Sequence, residues 1–281
     1  PLGAGMGMAV GMAMAQAHMA ATFNTEDYNV IDHYTFVLGG DGCMEEGISS
    51  EAFSLAGTLG LSKLIVLYDS NNITIEGNTD LAFTEDVNKR MEAFGFQTLT
   101  VEDGNNLEEI SKAIELAKAE KTKPSFITVK TKIAFGCPAK EGSESSHGSP
   151  LGEENVKALR DNLGWEEQEA FVIPQDVYDN FAQKAKKGKE AEDNWNKLFK
   201  AYCEKYPEKK ALWDKYFAVI DDEKLLNCDE FWSYEDKPQA TRSLSGNMIN
   251  RLAKIMPNFW GGSADLGPSN KTVIKDGGSF S

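Results

Sequence analysis

Cysteine is scarce in this chain of 281 residues, which contains only four. Cys43, Cys137, Cys203 and Cys228 are widely spaced, and no two of them form a Cys-x-x-Cys pair. Structural zinc sites and disulfide frameworks use closely patterned cysteines, so the sequence predicts neither. Reduced thiols in a cytoplasmic protein are the expectation instead.

Basic residues are also few, because 29 lysines and arginines face 44 acidic residues and leave a formal net charge of −15. Nucleic-acid surfaces need clustered positive charge, so we do not expect DNA or RNA as a partner. A small anionic ligand remains compatible with this charge, because a metal ion and main-chain N–H groups supply positive potential locally.

A hydrophobic run long enough to cross a membrane is missing as well. The nearest candidate is the Met- and Ala-rich stretch at residues 6–21, which is short, rich in small side chains and interrupted by glycine. Within it Met8, Met12, Ala15 and Met19 recur at helical spacing. The pattern predicts a buried, closely packed helix near a subunit contact.

Apolar runs typical of strands alternate along the chain with stretches of helical periodicity. Strands are predicted at residues 35–39, 63–69, 97–101 and 125–131, and helices at 50–61, 85–94, 107–118, 153–163, 176–186, 191–206 and 244–255. This alternation predicts an α/β fold with a doubly wound parallel sheet and helices on both faces. The Gly- and Ser-rich residues 134–151 interrupt it with a loop of the length that is usually functional or disordered.

The most informative motif is a pair of polar residues at two successive strand ends. Asp41 lies between Gly40 and Gly42 after the first predicted strand, and Asn71 follows the second. Parallel strands end side by side at the carboxyl edge of their sheet, where ligands bind. A carboxylate, an amide oxygen and a nearby carbonyl suit a hard cation such as Mg²⁺ or Ca²⁺. The flanking glycines let backbone N–H groups approach phosphate oxygens.

Gly-Asp-Gly taken alone is a common turn, and turn chemistry is the alternative interpretation. The context favours the metal–diphosphate interpretation, because Asp41 and Asn71 follow consecutive strands with a predicted helix between them.

Longer segments make a more specific match. Similar segments occur in the transketolase family for residues 1–5 (PLGAG), 145–148 (SSHG), 241–245 (TRSLS) and 261–270 (GGSADLGPSN). The resemblance runs along essentially the whole chain and includes Gly-Asp-Gly with its downstream Asn; Ala4 stands where the family has Gln.

The resemblance implies thiamine diphosphate as the cofactor, anchored through a divalent cation. Asp41, Asn71 and the main-chain carbonyl of Ile73 would be ligands of Mg²⁺ or Ca²⁺. The residues implied to bind the cofactor are Leu2, Gly40 (through its N–H), Asp41, Asn71, Ile133, His147 and Asp265.

His147 is implied as the catalytic residue, in hydrogen-bonding reach of the diphosphate and the reacting sugar. Arg242 and Ser269 would bind the sugar phosphate with it. Asp265 would meet the cofactor across a subunit contact, and Glu46 would belong to a carboxylate network that links two active sites. Read from the residues alone, an idle loop histidine, a surface arginine and solvated acids remain the alternatives.

In this family a two-carbon ketol unit passes from a ketose phosphate to an aldose phosphate, in a homodimer with shared active sites. Residues 1–205 would then be an N-terminally truncated diphosphate- and metal-binding domain, 206–237 a linker, and 238–281 the start of a pyrimidine-binding domain. We expect an incomplete chain, inactive alone, without the upstream histidines and the glutamate that activates the cofactor's aminopyrimidine.

Other functions stay open at this point. Dihydroxyacetone synthase and deoxyxylulose-phosphate synthase use the same cofactor, although the Ser-His-Gly and Ser-Ala-Asp-Leu segments disfavour the second. From a different class, the chain could be a non-catalytic binding module that keeps only the metal–diphosphate half-site.

Overall fold

The computed structural model describes residues 1–167, 169–263 and 265–280. The strands are β1 Thr35–Gly40, β2 Leu64–Ser70, β3 Ile73–Thr74, β4 Gly77–Asn78, β5 Gln97–Val101 and β6 Ser125–Lys130. The helices are α1 Ala4–Phe23, α2 Asp41–Glu45, α3 Gly47–Thr58, α4 Val87–Ala93, α5 Leu107–Ala119, α6 Glu153–Leu163, α7 Gln175–Lys205, α8 Pro207–Tyr216, α9 Asp222–Leu226, α10 Asp229–Trp232, α11 Thr241–Ile255 and α12 Gly267–Asn270.

Within the described residues, a four-stranded parallel sheet in the order β1-β2-β6-β5 organises the first part of the chain. The pairing of β1 with β2 aligns Gly40 with Asp69, which lie one residue before Asp41 and two residues before Asn71, the two predicted ligand positions. The pairing of β2 with β6 aligns Ser70 with Lys130. The carboxyl ends of three neighbouring strands therefore meet at one edge, and the predicted α/β sheet is confirmed.

Helices cover the central strands β2 and β6 on both faces, because these two strands are apolar on both sides. On one face α1, α3 and α4 enclose a core with Phe53, Met91 and Phe126 at its centre. On the other face Ala113 and Ala117 of α5 pack against a second cluster that includes Ile127. Buried strands of a parallel sheet need this double cover.

The opening helix forms, but the predicted apolar stripe was placed on the wrong face. Met8 and Met12 are 70% and 58% exposed, whereas Met6, Ala9 and Ala13 are buried. The small side chains of Ala9 and Ala13 let α1 approach the sheet closely, and the buried stripe combines them with Met6 and Val10. The predicted subunit contact of this helix stays a prediction.

A second difference concerns the helices predicted at 176–186 and 191–206, which form the single helix α7, Gln175–Lys205. Gly188 lies inside it and costs about 1 kcal/mol relative to alanine, which the surrounding Lys, Glu and Ala residues tolerate as strong helix formers. Lys189 also pairs with Glu192 and Asp193 one turn away on the exposed surface.

The described residues divide into two compact units, Pro1–Asp193 and Asn194–Ser281. The predicted domain boundaries at 205 and 238 stay predictions. In the second unit Trp195 and Phe199 of α7 stack on each other, and Phe199 contacts Trp213 of α8. None of the helices in the described ranges is long and apolar enough to cross a membrane.

Phe126 is the test of this packing. It is fully buried and makes ring contacts with Phe53, Phe96 and Tyr68. We expect Phe126→Ala to lower the free energy of unfolding by about 3–5 kcal/mol, since it leaves a cavity in a packed core. Urea denaturation followed by circular dichroism measures this. Phe36 lies on the outer face of β1 and is 49% exposed. Phe36→Ala is therefore the matched control and should lower the free energy of unfolding much less. Equal losses in the two variants would contradict the packing described.

Candidate functional site

The end of β1 places a buried carboxylate beside the end of β2. Strand β1 stops at Gly40, and Asp41 begins the short helix α2 with only 3% of its surface exposed. Because Gly40 pairs with Asp69, the turn that follows β2 brings Asn71 against this carboxylate. The parallel register therefore assembles the two residues that lie 30 positions apart in sequence.

In the described part of the chain, Asp41 accepts three hydrogen bonds. The Tyr68 hydroxyl donates to Oδ1 at 2.5 Å, and the N–H groups of Asn71 and Asn72 donate to Oδ2 at 3.2 and 3.0 Å. An ionised carboxylate has about four acceptor positions, so it retains capacity for one bond to a cation. Asn72 has a φ of 61°, a left-handed conformation that asparagine adopts more readily than most residues.

The Asn71 side chain is oriented by its neighbours. Its Nδ2 donates to Asp69 Oδ1 at 3.2 Å, and its Oδ1 accepts the Ile73 N–H at 2.9 Å. An amide nitrogen could not accept the Ile73 N–H, nor could an amide oxygen donate to a carboxylate, so the chemistry fixes which end of the amide is oxygen. The Asn71 Oδ1 atom keeps a second lone pair that no hydrogen bond in the described residues uses. Ile73, two residues later, begins β3.

These donors fit a hard divalent cation. They comprise one carboxylate, one amide oxygen and the main-chain oxygen of Ile73, and such oxygen sets hold Mg²⁺ while leaving positions for water or phosphate oxygens. Among the described residues, no group of three or more His, Cys, Asp or Glu side chains could hold a metal. A cation at this edge would take the rest of its shell from water or from the oxygens of a bound ligand.

Glycines let the first loop approach this edge. A Cβ on Gly39 would lie 1.9 Å from the terminal methyl of Met6, and one on Gly42 would lie 3.1 Å from a methyl of Leu2. Gly3, with a φ of 75°, would place a Cβ 2.7 Å from Ile48. Leu2 consequently lies next to the Gly40–Gly42 turn, and its assigned cofactor contact stays a prediction.

The loop after β6 starts at the same edge. The Thr131 N–H donates to Ser70 at 3.2 Å, and the Thr131 hydroxyl donates to Asp69. Ile133 follows two residues later, half-buried, and its carbonyl accepts the Gly142 N–H at 2.8 Å. His147 lies farther along this loop, after the 3-10 turn Glu144–Ser146, and is exposed.

The structure thus gathers Leu2, Gly40, Asp41, Asn71 and Ile73 at one edge of the sheet. Ile133 and His147 lie in the loop after β6, also in the first unit. The remaining predicted site residues belong to the second unit, where each is exposed: Arg242 in the first turn of α11, Asp265, and Ser269 in α12. Their assigned roles stay predictions.

Two residues at this edge were not predicted from the sequence. Tyr68 is buried, and burial followed by its hydrogen bond to Asp41 raises the pKa of its hydroxyl, which keeps it a donor. Arg90 of α4 donates to the Met44 carbonyl at the end of α2 at 2.8 Å and to Ser50 Oγ at 2.6 Å. A tyrosine at the end of an apolar strand was a usable signal, since a buried hydroxyl needs a partner. Arg90 gave no such signal, because two adjacent basic residues such as Lys89 and Arg90 are typical of a solvent-exposed surface.

Comparison with known proteins agrees with this geometry. Residues 1–219 match the family described as "Transketolase, thiamine diphosphate binding domain". The chain belongs to the transketolase family. A transketolase from Halalkalibacterium halodurans is 48% identical over 287 residues, covering 100% of this chain and 42% of the relative. The chain therefore spans about two fifths of the length of the curated transketolases that it matches.

Solved transketolase structures share the fold. The enzyme from Leishmania mexicana superposes with a TM-score of 0.88 at 40% identity, over 97% of this chain and 40% of its own. The Pichia stipitis transketolase, in a structure described as a complex with sedoheptulose 7-phosphate, gives 0.89 at 38% identity, over 98% of this chain and 41% of its own. The predicted family is confirmed, and the matched segment corresponds to the family's thiamine diphosphate-binding domain.

The Arg90 contacts give a stability prediction for the transketolase site. Its guanidinium also pairs with Glu85 at 2.7 Å and is mostly buried, so Arg90→Met removes charge-assisted bonds that tie α4 to Met44 of α2 and Ser50 of α3. We expect a loss of about 2–3 kcal/mol in the free energy of unfolding. Lys89→Met is the control, because it breaks only the exposed pair with Asp86 and should cost at most about 1 kcal/mol. Denaturant titration of both variants measures the two losses in the free energy of unfolding. Equal losses would contradict the proposal that the Arg90 contacts stabilise this site.

Proposed function

We propose that the protein carrying this chain is a transketolase that moves a two-carbon ketol unit from a ketose phosphate to an aldose phosphate. The observation that carries the proposal is the Asp41–Asn71 pair at the carboxyl edge, inside a segment that matches the family's cofactor-binding domain. The relatives that the chain matches along its whole length are named transketolases.

Thiamine diphosphate, when bound, would supply the carbon nucleophile and electron sink that break and remake the sugar carbon bond. The residues of this chain would bind and orient it. Asp41, Asn71 and the Ile73 carbonyl would hold Mg²⁺ or Ca²⁺, the Gly40 N–H would bind the diphosphate, and Leu2 would contact the cofactor from the opening loop. Further cofactor contacts are proposed for Ile133, His147 and Asp265.

The cation is needed because both partners are anionic. Two unit charges about 4 Å apart repel by about 4 kcal/mol at an effective dielectric constant of about 20. The buried Asp41 carboxylate would oppose a diphosphate of at least that charge, in a chain whose formal net charge is −15. A divalent cation between them turns this repulsion into attraction on both sides.

Substrate binding is proposed for His147, Arg242 and Ser269. Arginine offers a planar fork of donors that matches phosphate oxygens, and a serine hydroxyl adds a further donor. The exposed positions of all these side chains keep them available to a ligand. The sugar phosphate in the Pichia stipitis relative supports this substrate class.

We also propose a homodimer with shared active sites, in which Asp265 reaches the partner's cofactor and Glu46 joins the linking carboxylate network. Glu46 is exposed between α2 and α3, a position open to such a contact. A cytoplasmic location is proposed because the four cysteines are all free thiols.

Asp41→Ala in the complete protein tests the cofactor site. We expect thiamine diphosphate binding in the presence of Mg²⁺, measured by isothermal titration calorimetry, to fall below detection, because the bridging cation loses its carboxylate. Asp103→Ala is the matched control: Asp103 also follows a strand and accepts turn N–H groups from Asn105, yet it is exposed and away from the pair. Unchanged affinity in Asp41→Ala, with and without Mg²⁺, would contradict the proposed site.

Activity is tested separately. The complete protein is expected to transfer the ketol unit from xylulose 5-phosphate to ribose 5-phosphate when thiamine diphosphate and Mg²⁺ are present. Cofactor binding by the complete protein without any ketol transfer would favour the non-catalytic binding module.

A further inference from the structure

Tyr68 occupies a position between the hydrophobic core and the candidate cation site. Its ring is buried and packs against Phe126 with the ring centroids 5.7 Å apart. Its hydroxyl lies 2.5 Å from Asp41 Oδ1. The ring therefore fixes where the hydroxyl is, and the hydroxyl fixes one oxygen of the carboxylate.

The two oxygens of Asp41 are held from different parts of the chain. The Asn71 and Asn72 N–H groups hold Oδ2, and both belong to the turn that also carries the other predicted ligands. Tyr68 holds Oδ1 from inside β2, a rigid central strand with neighbours on both sides. A carboxylate held at both oxygens cannot rotate about its Cβ–Cγ bond, so its free lone pair points in one direction.

We propose that Tyr68 is a positioning residue for the divalent cation: its hydroxyl locks the Asp41 carboxylate in the orientation that binds the metal of the cofactor site. This rests on the proposed function, because it assumes that Asp41 is a metal ligand. Tyr68 acts through Asp41 and touches neither substrate nor cofactor.

The size of the effect follows from other metal sites. Groups that orient a metal ligand by hydrogen bonding change metal affinity by about 10–100-fold when they are removed. Tyr68→Phe removes the hydroxyl and keeps the ring, so the packing on Phe126 is retained. We expect the Mg²⁺ concentration that gives half-maximal thiamine diphosphate binding to rise by about tenfold.

The experiment titrates thiamine diphosphate into the complete protein at a series of Mg²⁺ concentrations, for the unaltered protein and for Tyr68→Phe. At saturating Mg²⁺ the two should bind the cofactor equally, because a weakened metal site is filled by mass action. A purely structural role would lower cofactor affinity at every Mg²⁺ concentration. Direct Mn²⁺ titration, followed by the electron paramagnetic resonance signal of the free ion, should show the same tenfold weakening.

Tyr202→Phe is the matched control, since it removes the same hydroxyl from a second buried tyrosine, in α7. Its Mg²⁺ dependence should equal that of the unaltered protein. An unchanged or lowered half-maximal Mg²⁺ concentration in Tyr68→Phe would overturn the proposal, as would a loss of cofactor affinity that saturating Mg²⁺ does not restore. If the unaltered protein showed no Mg²⁺-dependent cofactor binding, the proposed function would fail first, and this inference with it.

Discussion

The parallel pairing of β1 with β2 is the constraint on which the site depends. Its register sets Gly40 against Asp69, so that one strand delivers a carboxylate at the point where the other begins a turn rich in N–H donors. A shift of one residue would turn every side chain of β1 to the opposite face of the sheet. The apolar side chains of β2 hold this register, because β2 contributes Leu64 and Val66 to the core on one face and Ile65 to the core on the other. The core packing that fixes the strand register consequently also fixes where the predicted ligand residues lie.

A buried carboxylate that is almost fully hydrogen-bonded makes a metal site of limited strength by itself. In the proposed site, one buried carboxylate and neutral oxygens would contribute a single formal negative charge to a divalent cation. The remaining positions of that cation would suit the oxygens of a diphosphate, and each ligand would then strengthen the binding of the other by the same factor. The proposed site would therefore supply about half of a coordination shell, and metal and cofactor would bind together.

The sequence predicts the parts of this arrangement that depend on local pattern. Strand β5 and helix α6 fall at their predicted residues, and Asp41 and Asn71 were identified as neighbours from strand ends alone. The β3–β4 hairpin after Asn71 and the joining of two predicted helices into α7 were missed, since two-residue strands have no periodicity and one glycine is a weak helix break. Tyr68 and Arg90 were missed for another reason: their partners are distant in sequence and are set by packing, which a pattern along one chain does not report.

The most direct test of the account is to locate the cation. A crystal structure of the complete protein with thiamine diphosphate and Ca²⁺, with anomalous scattering recorded for calcium, shows which atoms bind the ion. The account predicts one peak at about 2.3–2.6 Å from an Asp41 carboxylate oxygen, Asn71 Oδ1 and the Ile73 carbonyl, and also from diphosphate oxygens. A cofactor bound with its calcium held by other residues, or with no cation beside Asp41, would contradict it.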